Sequence, residues 1–108
     1  MSDTFNAVKA LVAQGKARIS EHGYDELATD YILVVDVLDG VDAGFVVEDY
    51  PQFAKGPSVL VLQRDASGGP IHVLWGIPKG SREPAVVVTA YRPDPSRWSD
   101  DFFRRKPR

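Results

Sequence analysis

"SVLVLQRDASGGPIHVLWGI", residues 58–77, decides the fold. Two apolar runs flank a turn of small and polar residues, which reads as a β-hairpin. In the second run Ile71, Val73 and Trp75 alternate onto one face and His72 falls on the other. If "DASGGP" is the loop, residue 64 faces 71 and residue 63 faces 72. Gln63 and His72 then share a face with Val61 and Leu74. Leu60, Leu62, Ile71, Val73 and Trp75 form the more apolar set, so the core is expected on their side. The assignment depends on register, because a slip of one residue exchanges the faces of a strand.

Outward from the hairpin, "GFVVEDY" (44–50) reads as a strand stopped by Pro51, and "AVVVTAYR" (85–92) as a strand stopped by Pro93 and Pro95. The N-terminal part has a different period. Phe5, Val8, Leu11 and Val12 recur at helical spacing after Ser2 and Asp3, either of which can cap a helix, and Gly15 supplies the stop. "KARIS" (16–20) is extended in character, and Ser20 caps a second helix through "EHGYDELA" (21–28). Gly23 weakens that helix by up to about 1 kcal/mol relative to alanine. In "YILVVDVLD" (31–39) β-branched content favours a strand, whereas the spacing of Ile32, Val35 and Leu38 favours a helix. The helical reading is taken. "SRWSDDFFRR" (96–105) is expected to form a short helix capped by Ser96. At least one of Phe102 and Phe103 should dock, leaving Arg104, Arg105, Lys106 and Arg108 as a basic tail in solvent. The fold class is therefore α+β: N-terminal helices packed on one face of a four-stranded antiparallel meander. The 108 residues make one domain, with helices over about 1–42, a sheet over about 44–92 and a tail over 93–108.

The chain has no cysteine, so disulfides and thiolate metal sites are excluded. Its N-terminus resembles neither a signal peptide nor a membrane span, and a cytoplasmic protein is expected. The net charge of -2 conceals an asymmetry. Residues 1–54 hold three cations and ten anions, whereas residues 55–108 hold ten cations and five anions. An overall acidic chain cannot hold nucleic acid by bulk charge, so any such binding must be local.

Only two histidines exist, His22 and His72. With no cysteine and no paired-histidine spacing they make a poor metal site, and no metal or cofactor is expected. No phosphate-binding glycine loop and no Ser-His-Asp grouping is legible. The plain alternatives are a surface histidine at His22 and a hydrogen-bonded sheet histidine at His72.

Several stretches together resemble a known bacterial family. They are "GKARISEHGYDEL", "FVVEDYPQFAKGPSVLVLQRD", "PIHVLWGI" and "AVVVTAYRPDPSRW", spanning roughly residues 7–98. Ser20 with His22, Glu48-Asp49-Tyr50-Pro51, His72-Val73 and Thr89-x-Tyr91-x-Pro93 carry the resemblance to domain of unknown function 4258. That family is similar to the barnase, EndoU and RelE-type superfamily of small ribonucleases and toxins. The resemblance implies a sheet with one face open to RNA, and a gene beside that of a small antitoxin protein. The function expected is a metal-independent endoribonuclease-like toxin, with the substrate's 2′-hydroxyl as nucleophile. His22 and His72 are the candidates for proton transfer, since imidazole titrates near neutrality. Arg18, Lys79 and Arg92 are candidates to offset phosphate charge, and Gln63, Thr89 and Tyr91 to orient or stack on the substrate. Trp75 and Trp98 read as packing residues. The competing expectation is an inactive binding or regulatory module of the same fold that docks a protein partner on its acidic half. Oligomeric state is not legible.

Overall fold

The computed structural model describes residues 2–107. Helix α1 spans Asp3–Ala13, and the Ser2 hydroxyl accepts the Phe5 N–H at 3.0 Å. Gly15 follows it at φ 72, the left-handed conformation that closes helices. Strand β1 is three residues, Ala17–Ile19. Helix α2 spans Glu21–Thr29, with Ser20 accepting the Gly23 N–H at 2.9 Å. Helix α3 spans Val34–Gly40, so the helical reading of 31–39 holds from Val34 onward, while Tyr31, Ile32 and Leu33 lie before the helix and Val35 is exposed. Strands β2 (Phe45–Tyr50), β3 (Ser58–Arg64), β4 (Pro70–Gly76) and β5 (Ala85–Tyr91) follow.

The architecture is α+β, but the sheet has five strands and is mixed. Its order is β1-β5-β4-β3-β2. Strands β2 to β5 form the sequential antiparallel meander, and β1 adds to its edge parallel to β5, pairing Ala17 with Ala85 and Ile19 with Val87. The expected four-stranded sheet is thus corrected by a strand inside the nominally helical part. Phe5, Val8 and Leu11 of α1 and Val37 of α3 meet Val59, Val61, Ile71, Val73, Trp75 and Val87 in one core. Helix α2 runs along β5, adding Leu27 to that core. At Gly23 the approach is tight: a Cβ there would lie 2.7 Å from the Val87 carbonyl oxygen. The glycine that weakens the helix is the one that lets it dock.

The hairpin register differs from the expected one by one residue. Leu62 faces His72, Gln63 faces Ile71 and Arg64 faces Pro70. The cause lies in the loop. The Asp65 N–H donates to the Gly69 carbonyl at 2.9 Å, the Gly68 N–H donates to the Asp65 carbonyl at 2.9 Å, and Gly68 has φ 85. Only Ala66, Ser67 and Gly68 make the turn, with glycine in the left-handed position. His72 keeps its place opposite Ile71 and Val73, but Gln63 moves to the core side.

No helix forms over residues 96–105. Asp94 accepts the Ser96 N–H at 2.8 Å, Asp101 accepts the Phe103 N–H at 3.1 Å, and the Ser99 N–H donates to the Arg104 carbonyl at 2.8 Å. These local side-chain and turn bonds take the groups a helix would use. Residues 93–107 instead form a strap, closed by a bridge between Trp98 and Arg105. No helix among the described residues is long and apolar enough to cross a membrane.

Candidate functional site

The outer face of the sheet, turned away from Val59, Val61 and Trp75, carries a second set of side chains. Ladder partners place Glu48, Leu60, Leu74 and Thr89 in one row across β2 to β5, and Leu62, His72 and Tyr91 in the next. The strap crosses this face. The Trp98 ring stands edge-on to the His72 ring, centroids 4.4 Å apart. Phe103 packs on Phe45 at 6.4 Å. The Arg105 guanidinium lies 4.8 Å over the Trp98 ring and bonds Glu48 at 2.8 Å. Docking of a tail phenylalanine is therefore seen, whereas the basic tail does not simply project into solvent. Arg105 folds back, Arg104 is exposed, and Arg108 lies outside the described residues.

Between strap and sheet lies a cleft of about 1030 Å³, lined by Tyr50, Leu74, Thr89, Tyr91, Arg97 and Lys106 among others. Its volume is at the upper end of the range for small-ligand sites. Arg92 and Arg105 also line it, but both are committed. Arg92 pairs with Asp65 at 2.9 Å and bonds the Asp30 carbonyl at 3.2 Å, and Arg105 holds Glu48. Among the described residues Arg97 and Lys106 form no salt bridge, although both lie near enough to the cleft carboxylate Asp94 to lower its pKa after its Ser96 hydrogen bonds do, so together they leave the strap side of the cleft with one net positive charge to offer an anion.

His72 lies behind Tyr91, beneath the cleft lining and not part of it. It is fully buried. Its Nε2 lies 2.9 Å from the Phe102 carbonyl oxygen and its Nδ1 3.2 Å from the Tyr91 hydroxyl. A carbonyl oxygen only accepts, so Nε2 carries the proton. Burial pushes the imidazole below its ordinary pKa, with Arg105 acting the same way and the Phe102 carbonyl and Glu48 opposing. Neutral imidazole then leaves Nδ1 as an acceptor, and the Tyr91 O–H donates to it. Burial likewise raises the Tyr91 pKa. Burial also pushes Glu48 up, but the Arg105 and Tyr50 hydrogen bonds outweigh it and hold the carboxyl below its usual range.

The other sequence candidates are scattered. His22 is an exposed residue of α2 lying 3.6 Å from Glu26. It cannot share a phosphate with His72, whose two nitrogens are enclosed and occupied. Arg18 stands exposed on edge strand β1, and Lys79 is exposed in the turn after β4; neither lines the cleft. Thr89, Tyr91 and Arg92 do line it. Gln63 is a core residue whose amide donates to the Val37 carbonyl at 2.9 Å and accepts from the Trp75 indole at 2.8 Å. It cannot touch a ligand in the cleft. Sequence reasoning did not select Tyr50, Arg97 or Lys106 for the site, and set Trp98 aside as packing. The strand parity of Glu48 and Tyr50 was the one available signal, since the strap residues join the site only through its fold-back.

Among the described residues no group of three or more His, Asp or Glu side chains is placed to hold a metal ion. No buried side-chain nitrogen or oxygen there lacks a hydrogen-bond partner. The cleft is thus a self-satisfied polar and aromatic surface on which, among the described residues, Arg97 and Lys106 stand outside any salt bridge with Asp94 nearby. No curated protein and no solved structure matches the chain. A family model does match, over residues 19–92, from the end of β1 through β5, including Glu48, Tyr50, His72 and Tyr91 but stopping before the strap. The chain belongs to the family described as domain of unknown function (DUF4258).

Proposed function

We propose that the outer-face cleft binds single-stranded RNA. The observation that carries this reading is the grouping of two aromatic phenols, Tyr50 and Tyr91, with Arg97 and Lys106 around one open groove, the two cations outnumbering their one acidic neighbour there, Asp94, and forming no salt bridge among the described residues. Single strands are held by this combination of stacking surfaces and local positive charge. The net charge of -2 suits local rather than bulk attraction. Fluorescence anisotropy with a labelled single-stranded RNA tests it. Two phosphate contacts imply a slope of log affinity against log salt of about -1.4. The Arg97→Glu/Lys106→Glu double variant should abolish binding. Unchanged binding by that variant would overturn the reading.

Cleavage is a second reading: a metal-independent endoribonuclease-like toxin with a small antitoxin-like partner. The Tyr91–His72 pair favours it, since a neutral imidazole sits behind a phenol at the cleft floor. The acid-base pair of His22 and His72 is not part of this reading. A gel assay on unlabelled RNA decides: Tyr91→Phe should lower cleavage by about 10² to 10⁴, and a wild-type protein that binds without cutting leaves the binding role alone.

A further inference from the structure

The hydrogen bonding of His72 has a consequence for what the cleft can read in a nucleic acid, resting on the RNA reading above. We infer that Tyr91 faces the cleft as a hydrogen-bond acceptor only, and that it selects ribose over deoxyribose by accepting from a 2′-hydroxyl. The argument is one of elimination. The Phe102 carbonyl fixes the proton on His72 Nε2 at 2.9 Å. The neutral ring then has a lone pair at Nδ1, 3.2 Å from the Tyr91 hydroxyl. Tyrosine has one hydroxyl proton, and it is directed to that lone pair. Only oxygen lone pairs remain for the cleft, which Tyr91 lines. His72 is fully buried and both of its partners belong to the chain, so ligand entry does not reset the tautomer. A phosphate oxygen, itself an acceptor, gains nothing from such a phenol. A 2′-hydroxyl donates to it, and that group is what distinguishes RNA from DNA at a site. Because each ribonucleotide carries one, the selection is independent of base sequence. Trp98 against the imidazole ring at 4.4 Å keeps the ring, and hence the phenol, in this orientation.

The test compares end-labelled oligouridine with oligodeoxyuridine of the same length, which share their bases. A 2′-O-methyl oligouridine keeps the oxygen and loses the donor hydrogen. The wild-type protein should bind the ribo strand about tenfold more tightly than either of the others, the factor expected of one hydrogen bond near 1.4 kcal/mol. Tyr91→Phe, which keeps the ring, should bind all three strands equally, at the wild-type affinity for the deoxy strand. Equal wild-type binding of ribo and deoxy strands, or a ribo preference that survives in Tyr91→Phe, would overturn the inference and leave RNA binding standing. Failure to bind any of the three would overturn both.

Discussion

Replacing Gln63 by leucine should destabilise the protein, although glutamine is a residue ordinarily found on surfaces. The amide is 1% exposed and satisfies two groups at once, the Val37 carbonyl at 2.9 Å and the Trp75 indole N–H at 2.8 Å. Leucine has nearly the same bulk and neither function. Two buried groups would then lose their partners, at about 1–3 kcal/mol each. Extra apolar burial by leucine returns roughly 1.5–3 kcal/mol. A net loss of about 2 kcal/mol is expected. With a urea dependence near 2 kcal/mol per molar, the unfolding midpoint should fall by roughly 1 M. Arg64→Leu at the neighbouring exposed position should stay within about 0.5 kcal/mol of wild type. An unchanged or raised midpoint for Gln63→Leu would refute the reasoning, since it would put Gln63 on the surface, as a hairpin with a six-residue loop would.

Gly23→Ala should also destabilise, by about 1 kcal/mol or more, because the clash 2.7 Å from the Val87 carbonyl outweighs the helix-propensity gain of about 1 kcal/mol; thermal melting reads the sign. Ending the chain at Ser96 removes the cover of Trp98 from His72 and of Phe103 from Phe45, and the melting temperature should fall by roughly 10 °C. The depressed His72 pKa sets a pH dependence. From the ordinary value of 6.5 downward the unfolded chain takes up a proton that the folded one refuses, so stability is lost as pH falls through 6.5 toward the folded-state value and is unaffected above it. Urea midpoints between pH 7.5 and 5.5 should show this decline, and His72→Gln should flatten it.

The place of His72 was legible because parity within one strand decides it: Ile71, Val73 and Trp75 cannot face the core unless His72 faces away. The cross-strand partner was not so easily read. It turns on whether Asp65 and Gly69 belong to the loop or to the ladder, and Gly68 in the left-handed position gives the ladder. That single residue exchanged the fates of Gln63 and Leu62. The extended character of residues 16–20 is legible, but not their place in the sheet, because Ala17–Ile19 is too short to display alternation and its pairing with Ala85–Val87 spans most of the chain. The site was legible where it lies in the sheet, at His72, Thr89 and Tyr91. It was not legible in the strap, because contacts such as Arg105 with Glu48 join residues 57 positions apart and rest on turn bonds rather than on any periodic pattern. His22 drew attention by residue type alone, and its surroundings are an exposed helix turn.

On this reading RNA meets the strap-covered face of the sheet, not the helical side. Backbone and indole amide shifts in a ¹⁵N-labelled sample titrated with a short single-stranded RNA test it most directly. Shifts should be confined to Tyr50, Thr89, Tyr91, Arg97, Arg105, Lys106 and the Trp98 indole, with the Trp75 indole in the core unmoved. Shifts clustered on α2 and α3, or none at all at saturating RNA, would contradict it.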